Sequence, residues 1–516
     1  MWLDRQTFHE GDDPTTRALL LVVAGAAVLA AGVRSVILAH SGGLSGLLGY
    51  DQGVYFSAAE AFAWGRLPYR DFLFLHPPGV VVALAPLGVL ARLTHDSWGI
   101  ELARVVAILL GAVNAGLVAL AARRAGLAAA VTAAAFYAVW RPVAVTETET
   151  RLEPFVSLGL LVALAVLATP PGRVRRRALV VAGCALGFAL TVKIWAVVPV
   201  LVIAVWCVAR FGRRAAVWVL GPLVATGVVV CLPFLLAAPS SMVRMVVVDQ
   251  LSRGRMPATL AERTTGMLGL SSVVGHRPHL QGPLLLLVAA GVALLVLAWV
   301  RVPSARVAVV LLLAQGGVVL ASPSYFRYYD AYPAPALALS VGAAAAAVLG
   351  LLATSGLRPR PRAPAVRRTV AVTVALGLLL ALGAVAGSDT RAVVGEAFPA
   401  ATLRGVVSQA RCVTADSVGA LVQLDVFGRD LRRGCPVVID VGGLSHDRDA
   451  AAIVDGRQTP RRGDLRWQRD VSAYLRSGGA QVLVRRHYDG FDRATIRSLH
   501  RPRMRLDAGA YAVYGR

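Results

Sequence analysis

Uninterrupted apolar runs long enough to cross a bilayer recur along this chain, and no other feature narrows its fold so far. "ALLLVVAGAAVLAAGVRSVILA" (18–39) and "TVAVTVALGLLLALGAVAG" (369–387) are apolar on every helical face. A surface helix of a water-soluble domain keeps one polar face instead. About 20 such residues, wound as a helix, match the hydrocarbon thickness of a membrane. With 57% of its 516 residues hydrophobic and 16% charged, the chain reads as a polytopic membrane protein. The first run is longer than a signal-peptide core and lacks a cleavage pattern, so it reads as a retained anchor.

A formal net charge of +24 raises the question of nucleic acid. The placement of the charge argues for no nucleic acid, because much of the Arg lies in short loops between apolar runs, where the positive-inside rule accounts for it. Of the 53 basic residues, Lys193 is the single lysine. That skew is of the kind a G+C-rich genome produces, and it makes the one exception informative.

Placing the Arg-rich loops inside orients the chain. Loops 121–126, 170–177, 210–214, 301–306 and 357–368 are expected to be cytoplasmic, together with residues 1–17. Loops 40–76, 143–152, 239–282 and 322–332 and the tail from 388 are then outside. The spans alternate provided that 77–94, broken at Pro86 and Gly88, stays on the outer side as a juxtamembrane or re-entrant segment. The stretch 178–209 must likewise go out and back as two short helices with Lys193 at the outer turn. This predicts about eleven transmembrane helices over 18–387, an all-α polytopic domain with outer juxtamembrane helices. The tail, 388–516, changes in kind: "GCPVVIDVGG" and "GAQVLVRRHY" read as strands and "RWQRDVSAYLRSG" as a helix, giving a small extracytoplasmic α/β domain. Cys184, Cys207 and Cys231 fall in apolar runs, whereas Cys412 and Cys435 lie in the tail and can pair in an oxidising compartment. No cysteine spacing suggests zinc, and no inverted repeat is visible.

The chemistry concentrates after the first span, in "LLGYDQGVYFSAAEAFAWGRLPYRDFLFLHPPG" (47–79). From Asp51, apolar positions 54, 55, 58, 61, 62 and 65 follow helical spacing, with Gln52, Ser57 and Glu60 opposite. The pattern predicts an amphipathic helix lying in the interface. Asp51 at its first position suits an N-cap. It also places a carboxylate at the outer surface, able to take a proton from an attacking hydroxyl. Arg70, Asp71 and His76 return to the same level.

An acid opening a helix in the first outer loop, then "GRLPYRDF", then "HPPG", resembles the membrane glycosyltransferases of the GT-C superfamily. The branch it is most similar to uses polyprenyl-phosphate sugars: protein mannosyltransferases, aminoarabinose transferases and actinobacterial mannosyltransferase relatives. The resemblance covers the first 210 residues in sequence and the rest by topology. Those relatives usually carry Asp-Glu where this chain has Asp51-Gln52. The resemblance therefore implies Asp51 as the base, with no metal and no cofactor. It further implies a polyprenyl-phosphate sugar donor, with a hexose such as mannose moved with inversion to an envelope glycan, lipoglycan or protein acceptor.

Other outer-side residues fit that chemistry. In "TETETRLEPF" (146–155), Glu147 and Glu149 read equally well as solvated loop residues, while Arg151 and Glu153 open the next helix and are expected to meet sugar or acceptor, Glu153 alternatively holding Arg151. Lys193 between two apolar half-helices needs water, an anion or a carboxylate nearby. With Arg327, Arg70, His76 and Arg253 it forms the expected donor-phosphate set, and Tyr328 joins the sugar side. In the loop 246–266, Asp249, Arg255 and Arg263 are further polar groups among which the sequence does not choose. Asp440 reads as a strand-end residue. Two other classes remain open at this stage: a lipid or solute transporter, and an inactive scaffold whose tail binds a glycan or protein.

Overall fold

The computed structural model describes residues 16–47, 49–254, 258–271, 281–354, 397–447, 453–454, 457–484 and 490–515. The apolar run 369–387, the Arg-rich loop 357–368, Arg255 and the expected domain boundary at 387/388 lie outside the described residues.

Among the described residues, the α-helices of six residues or more before that boundary are, in chain order, α1 (Thr16–His40), α2 (Tyr50–Ala63), α3 (Gly79–Leu93), α4 (Asp96–Ala122), α5 (Leu127–Val139), α6 (Arg141–Thr146) and α7 (Leu152–Leu167). They continue with α8 (Arg176–Val192), α9 (Val197–Phe211), α10 (Arg213–Ala237), α11 (Leu260–Met267), α12 (Gln281–Arg301), α13 (Arg306–Ala321) and α14 (Ala334–Thr354). Among the described residues, α1, α4, α9, α10, α13 and α14 are long and apolar enough to cross a membrane, counting the 3-10 turns that extend α4, α9 and α13. α3, α5, α7 and α12 are shorter apolar helices. Small residues let them approach closely, as is usual in a bilayer where helices gain little from hydrophobicity alone. α8 meets α10 through Gly183 and Gly187, where a Cβ would run into the carbonyls of Val219 and Leu223.

The loops separate into two ends as the charge pattern requires. Arg124, Ala168, Arg210 and Ser304, from loops expected inside, line one small cavity of about 50 Å³. His76, Arg151, Lys193 and Tyr328, from loops expected outside, line another at the opposite end of the helices. Lys193 stands between α8 and α9 in extended backbone, and Arg210 near the end of α9 lines the first cavity together with Ala168, so α9 returns toward the end from which α8 starts. α3 has both ends at the same level: His76 faces the second cavity, and Asp96 and Ser97 bond to tail residues, as described below. Pro86 and Gly88 lie within α3 without interrupting it.

The tail contains helices α15 (Ala400–Val407), α16 (Val418–Gln423), α17 (Phe427–Arg432), α18 (Leu465–Ser477) and α19 (Arg493–Leu499). Its strands are β1 (Val413–Ala415), β2 (Ile453–Val454), β3 (Arg457–Gln458), β4 (Ala480–Val484), β5 (Arg503–Ala508) and β6 (Tyr511–Gly515). A four-stranded sheet runs β1-β4-β6-β5, with β1 parallel to β4 and the other pairs antiparallel, while β2 and β3 pair separately. The expected helix at α18 and the strand at β4 are present. "GCPVVIDVGG" is not a strand. It is irregular because the Asp440 carboxylate takes the amide of Gly443 (2.6 Å) and curls the chain. Cys412 and Cys435 form a disulfide with Cα atoms 5.6 Å apart.

The tail lies on the membrane helices, and this corrects the reading of α2. Residues 52–61 of α2 are all buried, Gln52, Ser57 and Glu60 included. The polar face expected to meet solvent is covered by α16 and α17. Gly53 packs against Gly419, whose backbone leaves no room for a Cβ on Gly53. At the next level, the Gly428 amide donates to Asp96 Oδ2 (3.0 Å) and the Ser97 amide to Asp425 Oδ1 (2.8 Å). Arg244 reaches Asp447 at 3.3 Å. The hydrophobic core is continuous across this seam, from Val54 and Phe56 to Leu421 and Val422.

Candidate active site

Where the tail meets the helix ends near His76 and Lys193 there is a cavity of about 570 Å³. One wall comes from the membrane part: Tyr50, Asp51 and Tyr55 of α2, His76, Arg151, Lys193, Arg253, Phe326, Tyr328 and Tyr329. The other comes from the tail: Asp416, Asp440, Gly442, Ser445, His446, Arg461 and Trp467.

Asp51 is the second residue of α2, since Gly49 is the N-cap and makes no side-chain bond. The expected capping role is therefore not taken. The carboxylate is held from the side instead: Arg151 Nη1 donates to its Oδ2 at 2.7 Å, and Arg151 Nη2 pairs with Glu149 at 2.6 Å. Arg151 lies over the Tyr328 ring at 4.4 Å. Glu149 also accepts the Gly49 amide (3.1 Å), and a Cβ on Gly49 would occupy the guanidinium's place. Asp51 Oδ1 accepts no hydrogen bond among the described residues. One oxygen is thus fixed by a charge-assisted bond and the other is offered to the cavity.

Lys193 is buried with its nitrogen 2.5 Å from Glu153, both side chains at most 4% exposed. The rings of Trp195 and Tyr329 flank it at 4.2 and 4.3 Å. Burial pulls the ammonium below the usual lysine range, against the opposing pull of the Glu153 carboxylate. Glu153 therefore holds Lys193, not Arg151, and does not itself line the cavity. His76 is 3.4 Å from the Tyr55 hydroxyl. Burial, with Arg253 and Lys193 nearby, pushes its imidazole well below the ordinary value.

Two expected ligands stand elsewhere. Arg70 is half-exposed and paired with Asp71 at 2.8 Å, and Arg327 is exposed at the start of the 3-10 turn Arg327–Ala331. Arg263 is spent on the backbone, donating to the carbonyls of Val319 (2.9 Å) and Ser322 (2.6 Å). Glu147 is no solvated residue. It is buried against Arg34 (Nε at 2.8 Å), Asn114 (3.0 Å) and Tyr137 (2.8 Å), a clamp that fixes the base of loop 147–151.

Comparison of the whole architecture decides the fold. ArnT from Cupriavidus metallidurans superposes with a TM-score of 0.56 in the apo state, at 18% identity over 97% of this chain and 98% of that one. The same protein bound to undecaprenyl phosphate gives 0.54, at 17% identity and the same coverage. The chain shares the fold of ArnT. An Archaeoglobus fulgidus oligosaccharyltransferase tethered with an acceptor peptide also matches, at a TM-score of 0.53 and 14% identity, over 80% of this chain and 63% of that one. No protein-family model matches the chain, and no curated protein does.

Within this fold the structure brings together Asp51, Arg151, Tyr328, Lys193, His76 and Arg253, six positions singled out from sequence. The tail wall was not among them. Tyr50 donates to Asp440 Oδ1 (3.0 Å) and accepts from the Gly442 amide (2.7 Å), tying the first residue of α2 to the tail loop. Nothing local marks these residues, since Tyr50 passes for an interfacial aromatic and Asp440 for a strand end.

Proposed function

We propose that the chain is an extracytoplasmic glycosyltransferase. It moves a sugar, a hexose such as mannose, from a polyprenyl-phosphate donor to a cell-envelope acceptor with inversion. The observation that carries this reading is Asp51, one oxygen held by Arg151 and the other open to a cavity whose cationic wall includes Lys193 and Arg253. ArnT, which shares the fold, is known bound to undecaprenyl phosphate. That supports a polyprenyl phosphate as the donor's lipid part here.

In this reading the acceptor O–H gives its proton to Asp51 Oδ1 while its oxygen attacks the anomeric carbon. The bond from that carbon to the phosphate oxygen breaks, and polyprenyl phosphate leaves with the electron pair. Lys193 and Arg253 stabilise the charge that grows on it. His76 is placed as a hydrogen-bonding group beside Tyr55. The phosphate is already a good leaving group, so no general acid is needed. A transporter would require charges near mid-membrane, whereas Asp51, Arg151 and Lys193 gather at one end of the helices.

The test is sugar transfer by membranes containing the protein, given labelled polyprenyl-phosphate mannose and an envelope acceptor fraction. Asp51→Asn is expected to lower transfer by about 10²–10⁴-fold without changing the amount of protein in the membrane. An active Asp51→Asn protein removes Asp51 as the base. Failure of the wild type with mannose and with other polyprenyl-linked sugars removes the reading altogether.

A further inference from the structure

The membrane wall of the cavity carries Asp51 with the cations Arg151, Lys193 and Arg253, and its tail wall presents the carboxylates of Asp416 and Asp440 together with Arg461. Asp416 is committed to its own domain, both oxygens accepting the Val484 amide at 2.9 and 3.1 Å. Asp440 is committed on one side only. Its Oδ1 takes two donors, the Tyr50 hydroxyl and the Gly443 amide, while Oδ2 accepts no hydrogen bond among the described residues. The carboxyl is thus aimed by residues from both parts of the molecule with one oxygen left on the cavity. It also lies near enough to Asp51 for the two charges to act on each other: burial first, and Asp51 after it, raises the Asp440 carboxyl above the usual range.

A polyol is held by such a wall, since a carboxylate oxygen accepts sugar hydroxyls and a guanidinium donates to them. We propose that Asp440 is an acceptor-binding residue and that the acceptor it takes is a saccharide. Resting on the transferase reading above, Asp440 Oδ2 accepts a hydroxyl of the acceptor sugar and sets a neighbouring hydroxyl over Asp51 Oδ1. That hydroxyl's proton passes to Asp51, its oxygen bonds to the donor's anomeric carbon, and the phosphate departs with the electrons of the broken bond. Tyr50 is a positioning residue, acting through Asp440.

Three measurements on the full-length membrane protein test this. With the labelled donor and an envelope fraction separated into glycan and protein pools, label is expected in the glycan pool; label confined to protein overturns the saccharide. In Asp440→Asn the KM for the glycan pool is expected to rise tenfold or more, with Tyr50→Phe between it and the wild type. An Asp440→Asn KM within twofold of wild type overturns the assignment. Direct binding of labelled polyprenyl phosphate is expected to be equal in wild type and Asp440→Asn; a variant that loses it places Asp440 on the donor side or in the scaffold, and overturns the proposal. If the wild type transfers no sugar, the transferase reading has failed, and with it the acceptor role that rests on it. Transfer by the wild type with an unaffected Asp440→Asn sinks the inference alone.

Discussion

Lys193 and Glu153 form a buried pair whose two members are worth different things. Their attraction offsets the cost of removing both charges from water, and little more. Removing the lysine alone leaves a carboxylate with no counter-charge in the interior. Lys193→Met is therefore expected to destabilise the protein by about 3–5 kcal/mol, read as a lower melting temperature in detergent. Lys193→Met combined with Glu153→Leu is expected to recover most of that stability while sugar transfer stays lost. Recovery of transfer in the double variant would show that the ammonium serves only the fold. At this scale the sequence was informative where composition made a residue conspicuous. A single lysine among 53 basic residues stands out, and so does an acid at a helix start. Arg327 and Arg70 were equally conspicuous yet face away, because position along a loop does not say which way a long side chain turns.

Among the elements, the loop between α13 and α14 carries its own titration. Asp330 is 4% exposed and accepts from the Tyr325 hydroxyl at 2.9 and 3.0 Å. Burial, opposed by Tyr325 and Arg327, raises its carboxyl to about 7. The unfolded chain releases that proton near 4, so between about 4 and 7 the folded state holds a proton that the unfolded state has lost. Stability from this group is full at low pH and falls as pH rises toward 7. Asp330→Asn is expected to gain in melting temperature over the wild type as pH goes from 5 to 7, with the difference constant above that. A difference that does not change with pH would refute the assignment. α2 shows why element boundaries were easier to read than surroundings. Its helical period was plain, and its start lay one residue from the expected place. Its polar face was misjudged because Gln52, Ser57 and Glu60 look the same in sequence whether water or another domain covers them. Gln52 in fact accepts from the buried Arg104 at 3.2 Å.

For the molecule as a whole, the alternation of Arg-rich loops foretold which loops share an end, including the detour at 77–94 and the turn at Lys193. The seam between tail and membrane helices was not legible. It depends on Gly53 meeting Gly419 and on Tyr50 meeting Asp440, and no local pattern encodes a partner that far along the chain. The disulfide at Cys412–Cys435 belongs to this scale because it stiffens the domain that closes the cavity. It closes a loop of 23 residues in sequence, for which chain-entropy arguments give about 3–4 kcal/mol. Peptide mass analysis is expected to find the two cysteines linked before reduction, and the tail is expected to become protease-sensitive after it. Alkylation of both thiols in unreduced protein would refute the bond.

The bond from Tyr50 to Asp440 spans 390 residues, and that distance is also an interval of time. Synthesis at about 5–20 residues per second puts roughly 20–80 s between the two. By the later part of that interval the nascent protein holds Asp51, Lys193 and Arg253 but not the tail wall that faces them. The cavity is thus incomplete in every unfinished copy, by the order in which the ribosome delivers its two walls.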